Sequence, residues 1–162
     1  MKKVLKGILL AGLVTLIFSS CDTLYPSYEL QVGNNCQKIE TLFGIQVPTV
    51  KYDLIEVKVG DFTFSDIPMG EYSSNTETVK SGVEYEVSVT YQVYDWKVPD
   101  NSTDPMADGY WVEGGEETKT FDEPLTFASN LGHDKYSLDF SIGSIFSGYD
   151  IDYDRYYVDE EE

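Results

Sequence analysis

Val83-Glu84-Tyr85-Glu86-Val87-Ser88-Val89-Thr90-Tyr91-Gln92-Val93 decides the fold. Apolar residues fill the odd positions and polar residues the even ones. Successive side chains of a strand point to opposite faces, so this segment is a strand with one buried face. Working outward, the same period returns. Ile55, Val57 and Val59 alternate with Glu56 and Lys58. Gly60-Asp61 then fits a two-residue type II′ hairpin turn, with Phe62 and Phe64 on the return. Tyr136, Leu138, Phe140 and Ile142 alternate with Ser137, Asp139 and Ser141. Ile151, Tyr153, Arg155 and Tyr157 alternate with Asp150, Asp152 and Asp154. Weaker candidates are Tyr28–Val32, Ile39–Val47, Tyr110–Glu113 and Lys119–Phe127, the last broken near Pro124. The best helix-like stretch is the short Thr41–Gly44. The expected fold is all-β: a single antiparallel β-sandwich of about seven to eight strands, with a small β-barrel as the alternative.

Composition bounds the function. A chain of 162 residues accommodates one domain. It carries 11 Lys+Arg against 29 Asp+Glu, a net of -18, with no basic stripe. That charge repels phosphate and excludes nucleic acid as a partner. An apolar share of 41% and an aromatic share of 14% suffice for a core, which argues against disorder throughout. Two cysteines make at most one bridge, so this is no disulfide-held mini-fold.

Residues 1–20 have the parts of an export signal. Lys2, Lys3 and Lys6 form a positive start, and Ile8 to Phe18 form an apolar run too short to span a bilayer. Ser19 and Ser20 precede Cys21. Phe18-Ser19-Ser20-Cys21 resembles the lipobox of bacterial lipoproteins, with Phe18 standing where leucine is usual. The resemblance implies cleavage before Cys21, a diacylglycerol on its thiol and acylation of the new amino group, palmitate being typical. Acyl chains contribute about 0.8 kcal/mol per buried CH₂, so two or three hold a soluble domain on a membrane almost permanently. The expected organisation is a signal peptide (1–20), a lipidated Cys21 with a tether (21–35), a β-sandwich (36–158) and an acidic tail (159–162). Gly33-Asn34-Asn35 reads as a turn closing the tether. The stretch from Val57 to Val89, with its Gly60 loop and Ser81-Gly82 turn leading into the long strand, is similar to immunoglobulin-like or transthyretin-like modules of bacterial surface lipoproteins. That likeness implies a sandwich and no chemistry.

Three groups of residues could bind something. Tyr94 and Trp96 fall on the outward face of the deciding strand, and Tyr110 and Trp111 open the next candidate strand. Between them lies an acidic loop, Lys97–Gly109, with Asp100, Asp104 and Asp108. Exposed aromatic rings beside carboxylates suit a sugar or a peptide. Asp150, Asp152 and Asp154 have the spacing of the first calcium ligands of an EF-hand, with Glu161 at the twelfth place. However, Arg155 stands where that loop needs glycine, so no metal or other cofactor is expected and Ca²⁺ is a weak candidate. The tail Asp159-Glu160-Glu161-Glu162 is a solvated charge run.

Enzyme signatures are scarce: there is no Gly-x-Ser-x-Gly, no phosphate-binding loop, no His-Glu-x-x-His and no Cys-x-x-Cys. Cys36 reads as a small buried residue, and the lone His133 sits in a turn-like stretch. The expectation is therefore a non-enzymatic cell-envelope lipoprotein, on the outer membrane facing the periplasm or the exterior. It would display an acidic sandwich that binds a peptide, protein or carbohydrate. An assembly subunit pairing through its last strand, Asp150–Val158, is the alternative, and a small hydrolase is a more distant one.

Overall fold

Two open sheets face one another across a shared apolar core. The structure is a computed structural model; it describes residues 26–158, apart from 43, 105, 107, 130–131 and 144–148. Residues 1–20, expected to be a signal peptide, Cys21 and residues 159–162 lie outside the described residues. One sheet holds β1 (Ser27–Asn35), β5 (Glu77–Lys80), β10 (Lys135–Ile142) and β11 (Ile151–Tyr157), in the order β11-β10-β1-β5. The other runs β2-β3-β7-β8, built from β2 (Gln37–Leu42), β3 (Ile45–Val59), β7 (Val87–Lys97) and β8 (Tyr110–Thr120). Here β4 (Phe62–Ile67) also pairs with β3, beyond the reach of β2. A small ribbon joins β6 (Glu84–Tyr85) to β9 (Leu125–Thr126). Neither large sheet closes, so the architecture is a sandwich and not a barrel. No helix occurs among the described residues.

The deciding run follows its alternation from Tyr85 onward, whereas Val83 is exposed and precedes the strand. Tyr85, Val87, Val89 and Tyr91 are buried, and Val93 packs against the core. The run is nevertheless cut at Glu86, whose carbonyl accepts the Gly60 N–H at 2.8 Å. Tyr85 thereby joins the small ribbon while Val87 onward joins the large sheet. Opposite these residues lie Tyr28, Leu30 and Val32 of β1 and Tyr136, Leu138 and Phe140 of β10, all buried. The Gly60-Asp61 turn is present: Val59 pairs with Phe62, and Gly60 alone takes a positive φ (59°), as a type II′ turn demands.

Four expectations are corrected. Residues 27–35, assigned to the tether, form β1 in the interior of a sheet. That strand pairs in parallel with β10, Glu29 opposite Lys135 and Asn35 opposite Ser141, so the sandwich is not wholly antiparallel. Of the helix-like Thr41–Gly44, Thr41 and Leu42 end β2 and pair with Gln46 and Ile45 of β3, and Gly44 has φ 84°. Gly33-Asn34-Asn35 is extended strand and no turn. Glycine is required at 33 because a Cβ there would lie 2.7 Å from Asp139 Oδ1 and 2.8 Å from the Tyr72 ring.

Asn34 joins the sheets. Its side chain is buried, and Nδ2 donates to the carbonyls of Tyr52 (2.9 Å) on β3 and Ile67 (2.8 Å) on β4. Its Oδ1 accepts the Cys36 N–H at 3.0 Å. Its backbone N–H donates to Glu71 O and its carbonyl accepts from Gly70 N–H. Truncation would orphan three buried backbone groups, each costing about 1–3 kcal/mol. Asn34→Ala is therefore expected to lower stability by about 3 kcal/mol or more, seen as a lower urea midpoint at unchanged slope.

Burial pushes the Tyr52 phenol up to about 12 from its ordinary 10. Burial also raises Tyr91, Tyr136 and Tyr156, with further lifts from hydrogen bonds to Glu117, Tyr157 and Asp139 respectively. In the unfolded chain phenols ionise near pH 10, while the folded chain keeps these protons. Above about pH 10 the unfolded state thus binds fewer protons than the native one. The contribution of these tyrosines is complete below pH 10 and is lost as pH rises toward 12. Urea midpoints measured across this range should hold to about pH 10 and then fall, with the last part of the tyrosinate absorbance, that of the buried tyrosines, appearing together with unfolding.

Candidate functional site

The register of β7 and β8 gathers three of the four aromatic candidates on one face. Gln92, Tyr94 and Trp96 alternate with the core-facing Tyr91 and Val93 and so point outward. Trp96 pairs directly with Trp111, and Tyr94 with Glu113. The two indoles stand edge to face, centroids 5.0 Å apart at 71°. Tyr110 is a neighbour in sequence only: it pairs with Lys97, one residue out of phase, and lies on the other side of the sheet, 55% exposed. Trp96 rests on the backbone at the end of the acidic loop, where a Cβ on Gly109 would collide with its indole.

The acidic loop is braced internally. The Ser102 hydroxyl donates to Asp108 Oδ2 at 2.9 Å, and the Met106 N–H donates to Asp104 Oδ1 at 3.1 Å. These carboxylates serve the loop's own turns.

Sequence reasoning missed what lies beside the rings. Lys51 pairs with Tyr94 across β3 and β7. Its ammonium stands 4.5 Å from the Tyr94 ring centroid, 5.7 Å from that of Trp111 and 3.5 Å from Asp53 Oδ2. Next to it a groove of about 320 Å³ runs along the outer face, lined by Asp53, Ile55, Asp66, Pro68, Gln92 and Glu113 among others. Asp66 has φ 55°, unusual for a residue with a Cβ. The signal that hid this region is a bulge. Tyr52 and Leu54 are core residues in even phase, Val57 and Val59 in odd phase, and the β3–β7 register shifts between Leu54 and Glu56. A strand read in one phase therefore stops at Ile55.

The remaining candidates are placed apart from this face. Asp150 pairs with Lys119 at 2.9 Å, Asp152 accepts the Tyr153 N–H, and Asp154 stands across from Asp139. Among the described residues no set of three or more His, Cys, Asp or Glu is arranged to hold a metal ion. Asp139 itself is buried, accepting from Asn35 Nδ2 (2.9 Å) and from the hydroxyls of Ser137 and Tyr156, which ties β1, β10 and β11 together. Cys36 is a free, buried thiol, and burial pushes its pKa up, so it stays protonated and inert. His133 stacks on Tyr157 with centroids 4.7 Å apart.

No known protein family matches this chain, and neither does any curated protein or solved structure. The geometry alone describes what this face can do. It offers aromatic edges and faces, one ammonium, and carboxylate and amide oxygens along an open groove. That set suits stacking and hydrogen bonding to a ligand and holds no nucleophile–base pair.

The seat of Trp96 is directly testable. Gly109→Ala should drive the indole off the loop, red-shifting tryptophan emission and raising its quenching by acrylamide, while circular dichroism stays native.

Proposed function

We propose that this protein is a lipid-anchored display module of the cell envelope, and that the Tyr94–Trp96–Trp111 face is its recognition surface. What supports the reading is polarity. β1 begins at Ser27, beside Lys80, and the Lys80 N–H donates to the Tyr85 hydroxyl at 2.8 Å, which marks one pole. At the other end Asn34 bonds Tyr52, which pairs with Val93, and Trp96 lies three residues further on. At about 3.3 Å per residue the aromatic face is about 30 Å from the start of β1. Only five residues separate Cys21 from Ser27, a reach of about 20 Å when fully extended. An anchor at Cys21 therefore keeps the Ser27 pole near the bilayer and turns the rings away from it. Tethering of this kind raises the local concentration of the module near its partner without new contacts. The acid excess, 29 Asp+Glu against 11 Lys+Arg, holds the domain off an anionic lipid surface.

The work proposed is binding without catalysis. Assembly through β11 is less favoured. That strand is a sheet edge, but Asp152 and Asp154 stand exposed on it, and charges on an edge oppose strand addition.

Two measurements test the reading. Cys21→Ser should move the protein from the membrane fraction to the soluble one. In vesicles carrying headgroup-labelled quencher lipids, the lipidated protein's two tryptophans should keep their emission. Strong quenching would place the aromatic face against the bilayer and defeat the proposal.

A further inference from the structure

The rings of Tyr94 and Trp111 already hold a cation, and it is the chain's own. Lys51 extends across the outer face with its ammonium over both rings and beside Asp53, its side chain only 20% exposed. An aromatic ring attracts a cation through the negative charge of its face, and a carboxylate alongside adds to the attraction. The adjoining groove continues that chemistry. Ile55 and Pro68 give it an apolar floor, Gln92 and Tyr94 line its edge, and Asp66 and Glu113 give it carboxylates. Neither Asp66 nor Glu113 is in an ion pair among the described residues, where Lys51, Lys58, Lys97 and Lys119 are each paired with another acid.

We infer that the recognition face takes a basic side chain, lysine or arginine, of an extended peptide. Lys51 is then the resident stand-in that the incoming cation displaces. This inference rests on the proposed recognition face and narrows its ligand to one class. The fit is one of shape as well as charge. A lysine or arginine stem can lie along the apolar floor while its head meets the ring faces and the carboxylates. A neutral sugar would use Asp66 and Glu113 only as hydrogen-bond acceptors, a cation would use their charge as well, and an acidic ligand would be repelled. The site also accounts for how Lys51 is held: the same rings and carboxylate that would bind a guest keep it folded over.

The test uses the full chain and a blocked pentapeptide carrying one arginine and one lysine, followed by tryptophan emission. A matched peptide with glutamine at both positions and the neutral oligosaccharide cellohexaose serve as comparisons. The basic peptide should saturate the emission change, at least tenfold more tightly than the glutamine peptide. Asp66→Asn combined with Glu113→Gln should weaken it at least fivefold. Glu84→Gln combined with Glu86→Gln, which removes two charges from the acidic recess at the opposite pole, should leave it within twofold. Lys51→Met should tighten binding by vacating the rings, with a native melting curve as the check on folding. Equal weakening by the two acid pairs would reduce the effect to net charge and overturn the inference, as would weaker binding by Lys51→Met. Saturation by cellohexaose and not by the basic peptide would overturn it while leaving the recognition face standing. Silence of the tryptophans toward all three probes would remove both.

Discussion

The structure hangs on a buried asparagine. A sandwich is normally held by apolar contact between its sheets, which is strong but indifferent to sliding. Asn34 adds direction. Its amide reaches from β1 into the opposite sheet and engages two carbonyls on different strands, while its own oxygen fixes the N–H of Cys36 as the chain leaves β1 for β2. A polar network satisfied at every atom specifies one alignment, because any other leaves groups unpaired in the core. The level at which Tyr52 meets Asn34 in turn sets how far β7 and β8 project past the core. The aromatic face stands on that projection.

Much of this was written in the period-two pattern. From Tyr85 to Val93 the run placed a core face and an outer face correctly, although Val83 is exposed, and the outward direction of Tyr94 and Trp96 follows from it without further information. The Gly60 turn was equally legible, since only glycine takes its backbone angle at no steric cost. Gly33-Asn34-Asn35 was misread for a physical reason. The residues that favour turns are also those that fit where a backbone must approach another side chain or a buried amide must bind carbonyls, and composition does not separate the two uses. The parallel partnership of β1 with β10 has no local signature at all.

The candidate site divides along the same line. Its aromatic half comes from strand alternation and was visible. Tyr110 shows the limit of adjacency, because a shift of one residue in a strand sends a side chain to the other face. The charged half depends on a bulge near Ile55, which changes the phase of β3 and sets Lys51 opposite Tyr94. A single extra residue thus converts an aromatic patch into a mixed aromatic and ionic surface.

The central place of β1 has a temporal consequence. This strand leaves the ribosome ahead of every other part of the sandwich, yet one of its two sheet neighbours is Lys135–Ile142, more than a hundred positions downstream. Until that segment exists, β1 lacks the partner along one entire edge. High contact order of this kind slows folding, since a long loop must close before any pairing rewards it. The nascent chain therefore cannot complete this sheet until Lys135–Ile142 has been made.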